Sequence, residues 1–221
     1  MENIKTLIEQ ILETPTGNDY IQMTAKTFEE ISPQRKYHGI STQIIGQIKN
    51  VRVPFNIDIG VGDVIVPRAE ERTISTQLPD FESPVILTYS LESTIAEKFD
   101  AILQRFELTS RMKDFYDIYY LSRTFDFEGE KLQTAIFETL QCRGTPYEKN
   151  SFKRIVALAD DEDMQKRWRF FLRTIKDATL AFSMVINEIQ IFLEPVFDAI
   201  VNETEWQENW KPTDRWSNNH N

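Results

Sequence analysis

The chain of 221 residues has one cysteine, two histidines and seven glycines. A lone Cys142 makes no intramolecular disulfide and no thiolate metal site by itself. It reads as a half-buried small apolar residue, and the expected compartment is the reducing cytoplasm. His38 sits in a loop entering a strand and His220 in the tail, so neither histidine metal ligation nor a histidine-based triad has much to draw on. No P-loop, dinucleotide-binding glycine fingerprint, HExxH or GxSxG occurs. No apolar run approaches the ~18 residues of a membrane span. The opening MENIKTLIEQIL carries charge throughout, unlike a signal peptide. Positive charge is also scarce: the net charge is −10, which argues against general nucleic-acid binding, since Lys and Arg supply the affinity for phosphates. Two local basic groups remain, Arg105 with Arg111 and Lys113, and Lys166 with Arg167, Arg169 and Arg173; a solvated helix face accounts for either.

What is present is globular in character, with 41% hydrophobic and 27% charged residues, and 15 Phe predict an aromatic-rich core. The texture predicts an α+β protein in two parts, residues 1–90 strand-rich after one short helix and residues 91–221 helical. Ile4, Leu7, Ile8, Ile11 and Leu12 give a helix over 2–13, ended by Pro15 and Gly17. Strands are expected over 20–28, 40–50, 52–60 and 85–89, with polar loop over 67–84. Pro54 marks the third strand as a start or an edge. Ser90 offers an N-cap for a helix running to about Glu107, and a second helix begins near Ser110. Further helices fit 128–141, 149–158, 160–183 and 187–203, with Pro195 expected to kink or restart the last. Trp206, Trp210 and Trp216 are expected to dock onto the helices.

Three places carry candidate chemistry. In 52–60, Val53, Phe55, Ile57 and Ile59 share one face while Asn56 and Asp58 point the other way. Asp58 is either a plain solvent-side acid or a metal ligand on a rigid strand; Asp63, on a flexible turn, ranks lower. Lys98 and Arg105 lie two helical turns apart on one side, with Ala101 expected to leave open space between them. They form either an exposed cationic ridge or a phosphate contact. Arg111, Asp114 and Asp117 recur every three residues on one helix face, which a simple i,i+3 ion pair explains as well.

Taken together, VPFNIDIGVGDVIVP, SLESTIAEKFDAILQRF and SRMKDFYDIYYLSR resemble the second half of the AbiEii/AbiGii family, nucleotidyltransferase-fold toxins of bacterial abortive-infection and toxin–antitoxin systems. The family pattern is a strand acid, then Ala-x-Lys with a downstream Arg on a helix, then Arg-x-x-Asp with an Asp three residues on. The matching positions are Asp58, Ala96, Lys98, Arg105, Arg111, Asp114 and Asp117. The resemblance implies a partial nucleotidyltransferase-fold mixed sheet followed by a helical bundle, Mg²⁺, a nucleoside triphosphate and an acceptor such as tRNA, with a cognate antitoxin. It implies that Asp58 is a metal carboxylate, that Lys98, Arg105, Arg111 and Asp117 contact nucleotide, and that Asp114 is catalytic or positions substrate alongside Asp58 and Lys98. The family's opening Gly-Gly or Gly-Ser turn and its Asp-x-Asp pair have no counterpart before Asp58. The chain is therefore expected to begin after the first motif and to be weak or inactive alone. It is further expected to pair with itself or another polypeptide along an exposed sheet edge. The alternative expectation is a non-catalytic protein-interaction module.

Overall fold

A computed structural model describes residues 2–15, 20–31, 39–60, 62, 64–77, 80–175 and 179–217. Asp63 and both histidines lie outside the described residues. The chain is α+β and divides into two compact units, Met1–Asp63 and Val64–Asn221.

The first unit is helix α1 (Glu2–Glu13) with strands β1 (Gln22–Ile31), β2 (Gly39–Ile48) and β3 (Val51–Gly60) in an antiparallel meander of order β1-β2-β3. A two-residue turn joins β2 to β3, with Ile48 opposite Val51 and Lys49 held at φ 50°, a left-handed value unusual for a side chain of its size. Alternation on the central strand buries Ile40, Thr42 and Ile44 on one face. α1 packs on β1 over this face: Ile8 is buried, and the Lys5 ammonium sits 5.8 Å from the ring of Phe28, which pairs with Thr42. β3 is an edge strand, as Pro54 suggests, and among the described residues it pairs only with β2. Its apolar residues alternate as expected, yet Val53 is 56% exposed and Phe55 and Ile57 each 40%.

The second unit opens with a hairpin of β4 (Glu70–Thr73) and β5 (Val85–Thr88). Helices α2 (Leu91–Arg105), α3 (Met112–Thr124), α4 (Gly129–Arg143), α5 (Ser151–Ala157), α6 (Glu162–Ile175) and α7 (Phe182–Val201) follow. Ser90 caps α2, its Oγ accepting from the Ser93 N–H at 3.0 Å. The core is aromatic, with Phe99, Phe115, Phe152, Phe192 and Phe197 buried around α7. Among the described residues every strand pairing is antiparallel.

Three local expectations change. The helix expected over 160–183 stops at Ile175, and the last one starts at Phe182 rather than 187. Packing sets that break: the Trp168 indole N–H donates to the Leu180 carbonyl at 2.8 Å, and Phe182 buries against Trp168 and Phe115. Pro195 does not restart the last helix: it lies within α7, which continues to Val201 as one helix. Buried neighbours on both sides of it, Phe192, Leu193, Val196 and Phe197, hold that turn in place despite the missing N–H. Ala101 leaves no open space between Lys98 and Arg105, because it is itself buried in the core.

The tail docks through a small sheet of β6 (Phe127–Glu128), β7 (Asn209–Lys211) and β8 (Arg215–Ser217), an arrangement too short to be read from periodicity. Trp210 is fully buried and its N–H donates to the Ser122 carbonyl, while Trp216 donates to the Phe192 carbonyl. At Gly129 a Cβ would meet the Glu208 carbonyl oxygen at 2.2 Å, so the tail's approach requires glycine there.

Candidate nucleotide-contacting site

The middle of α2 and the first turns of α3 bring five charged side chains together. Lys98, on α2, places its Nζ 2.5 Å from Asp117 Oδ2 and 3.6 Å from Asp114 Oδ1. Arg111 Nε lies 2.7 Å from Asp114 Oδ2, and Lys113 Nζ lies 2.6 Å from Asp117 Oδ2. The spacing explains the geometry, because residues three and four apart share a helix face. Thus Arg111 reaches Asp114, Lys113 reaches Asp117, and Lys98 inserts from the neighbouring helix. Three cations meet two carboxylates, leaving one positive charge in surplus.

The two acids differ in surroundings. Asp114 is buried, at 3% side-chain exposure, while its partner Arg111 is 57% exposed. Although Arg111 Nε is close to Asp114 Oδ2, this oxygen has no aligned hydrogen bond, and it is one of few buried polar atoms in that state among the described residues. Arg111 also donates through Nη2 to Asp114 Oδ1 at 3.4 Å, so Asp114 is a buried carboxylate covered by a largely exposed arginine, and its Oδ2 retains capacity for a further hydrogen bond. Asp117 is more exposed and shares both of its lysines with solvent.

Arg105, at the end of α2, is not part of this cluster. It lines a separate groove of about 500 Å³ with Glu107, Glu148 and Arg154. Asp58 lies in the first unit, exposed on β3, where it accepts a hydrogen bond from Ser41 Oγ at 2.6 Å across the strand pair. Lys113 was not singled out by the sequence as a site residue. Its four-residue spacing to Asp117 was the available signal.

The same α2 helix carries a second charged group, on its α4 side. Asp100 is fully buried and accepts from Gln104 at 2.8 Å, from Arg143 at 3.2 Å and from the Thr145 hydroxyl; Glu97 also pairs with Arg143.

The described residues offer no complete donor set for the Mg²⁺ implied by the resemblance. Among the described residues no three His, Cys, Asp or Glu converge on a point where a metal could sit. Asp114 and Asp117 already hold cations of the chain itself, and Asp58 accepts from the Ser41 hydroxyl. Among the described residues no helix is long and apolar enough to cross a membrane.

Comparison with known proteins gives one positive result. A search of curated proteins finds no match. The family model described as nucleotidyl transferase AbiEii toxin, type IV TA system, matches residues 1–203, and the chain therefore belongs to the AbiEii family of nucleotidyl transferase toxins.

Proposed function

We propose that this chain binds a nucleoside triphosphate at the Lys98–Arg111–Lys113 cluster and transfers its nucleotidyl group to a hydroxyl acceptor, tRNA being the candidate acceptor, as the toxin of a pair with a cognate antitoxin. The observation that carries the reading is the meeting of three cations and two carboxylates from two helices, with positive charge in surplus, in a chain of net charge −10. A triphosphate brings several negative oxygens. Lys98, Lys113 and Arg111 would exchange their carboxylate partners for phosphate, which frees Asp114. The acceptor oxygen then attacks the α-phosphorus, the bond to pyrophosphate breaks, and the hydroxyl proton passes to the Asp114 carboxylate. The roles given to Lys98, Arg111 and Asp114 do not depend on Mg²⁺, which would enter with the triphosphate.

The test is transfer of label from each α-labelled triphosphate to total RNA, together with triphosphate binding by equilibrium dialysis. The expected result is binding that Lys98→Ala weakens, and transfer that both Lys98→Ala and Asp114→Asn sharply reduce. Absence of both binding and transfer in the wild type overturns the proposal.

A second reading, a protein-interaction module, draws on one observation. Among the described residues β3 presents an unpaired edge, and its Val51, Val53, Phe55 and Ile57 are all exposed. A second copy pairing along this edge would give a dimer in light scattering that Phe55→Lys disperses. A monomer at high concentration counts against it.

A further inference from the structure

The basic run on α6 takes no part in the cluster described above, yet it has a definite geometry. Lys166, Arg169, Phe170 and Arg173 stand at i, i+3, i+4 and i+7, so one exposed face of α6 carries three cations around an aromatic ring. Phe170 is 69% exposed, an unusual position for a phenylalanine on a helix whose opposite face buries Met164, Trp168 and Leu172. Lys166 is paired with Asp163 at 2.9 Å and with Glu162 at 3.9 Å, all three exposed, whereas Arg169 and Arg173 have no ion-pair partner among the described residues. Beside Phe170 an open groove of about 630 Å³ runs between α6 and the start of α3, with Phe170 and Phe171 on one wall and Arg111 and Lys113 on the other. Arg167 is anchored there, donating to the carbonyls of Glu107 and Thr109 at 2.9 and 2.8 Å. The ring of Phe171 continues to Tyr116 at 5.8 Å, and Tyr116 stacks on Tyr120 at 6.4 Å.

We infer that this groove and the outer face of α6 bind single-stranded RNA, with a base on Phe170 and backbone phosphates at Lys166, Arg169 and Arg173. An exposed ring flanked by cations at helical spacing suits a polymer that alternates aromatic bases with negative charge. The surface is locally basic in a chain of net charge −10. Arg111 and Lys113 line the groove and also hold Asp114 and Asp117, which makes the groove continuous with the candidate transfer site. RNA rather than DNA is chosen because it carries ribose hydroxyls along its whole length. The choice of RNA over DNA rests on the proposed transfer reaction, in which RNA is the acceptor; the stacking and phosphate contacts do not.

The experiment is fluorescence anisotropy of the full chain with a labelled single-stranded RNA of ~12 nucleotides, within the site sizes such surfaces cover, with no triphosphate present. Binding is then read whether or not the protein transfers nucleotides. Phe170→Ala is expected to weaken binding about tenfold. Arg169→Ala with Arg173→Ala is expected to flatten the salt dependence of log K by about 0.7 per arginine. All three side chains are exposed, so the variants keep the fold, which thermal melting verifies. The inference is overturned if the wild type binds no RNA at low salt, if these variants bind as tightly as wild type, or if single-stranded DNA or inorganic polyphosphate competes as well as RNA.

Discussion

Lys98 and Asp100 are two residues apart on α2, and each lies in a charged group that joins α2 to another helix. On the α4 side, Asp100 has a partner for each oxygen: Thr145 on one, Gln104 and Arg143 on the other. On the α3 side, the acid of comparable burial is Asp114, whose Oδ2 has no aligned hydrogen bond and whose arginine lies mostly in solvent. The first arrangement is closed: every acceptor is used, and nothing is left to offer a ligand. The second is open, with surplus positive charge and an acceptor in reserve. Burial alone does not separate a structural carboxylate from a functional one; the state of its acceptors does.

That contrast gives the largest expected effect. Asp114→Asn keeps the shape and removes the charge, and Lys98 retains Asp117 as a partner. Nucleotide transfer is expected to fall about 10³-fold, while the protein stays folded, because Lys98 keeps Asp117 and the largely exposed Arg111 rehydrates. A variant that loses its fold along with its activity would erase the distinction between the two groups.

Asp100→Ala should behave in the opposite way. It strands Arg143, Gln104 and Thr145 around an empty position, and loss of a buried partner of this kind costs about 3–5 kcal/mol. Chemical denaturation reads this as a lower midpoint with an unchanged slope. Triphosphate binding by the folded fraction is expected to persist. If Asp100→Ala folds normally and loses only binding, Asp100 belongs to the site and the comparison fails.

The sequence made one side of this contrast visible and hid the other. Arg111, Asp114 and Asp117 could be placed on one face because helical spacing is local information, and Lys98 joined them through the family pattern. Asp100 could not be recognised, because its partners Arg143 and Thr145 lie more than forty residues away and no local rule links them. The same limit applies to the fold. Helices α1 to α5 and strands β1 to β3 follow their apolar periodicities to within a few residues. The break between α6 and α7 and the docked tail depend on Trp168, Phe182, Trp210 and Gly129 meeting distant neighbours. Alternation on β3 was legible, but whether anything covers that face was not, since periodicity gives the side on which residues lie and not what packs there.

Glu92 tests the comparison at its weakest end, since it is a half-buried acid in neither group. Burial pushes its pKa above the ordinary value of 4.5, its own backbone hydrogen bond opposes this, and the like charges of Glu70 and Glu128 outweigh what Lys131 returns. An acid whose folded pKa lies above its unfolded one favours the folded state most at low pH. This contribution is fully present below 4.5 and is lost as pH rises through the folded value. Glu92→Gln removes the cost of ionising it, so the variant is expected to be more stable than wild type at neutral pH, by about 0.5 kcal/mol given partial solvent screening. The gain should vanish below pH 4.5, in denaturant titrations run across that window. A pH-independent gain would mean that Gln improves packing, and a loss at neutral pH would mean that Glu92 has a cation partner and resembles Asp100 after all.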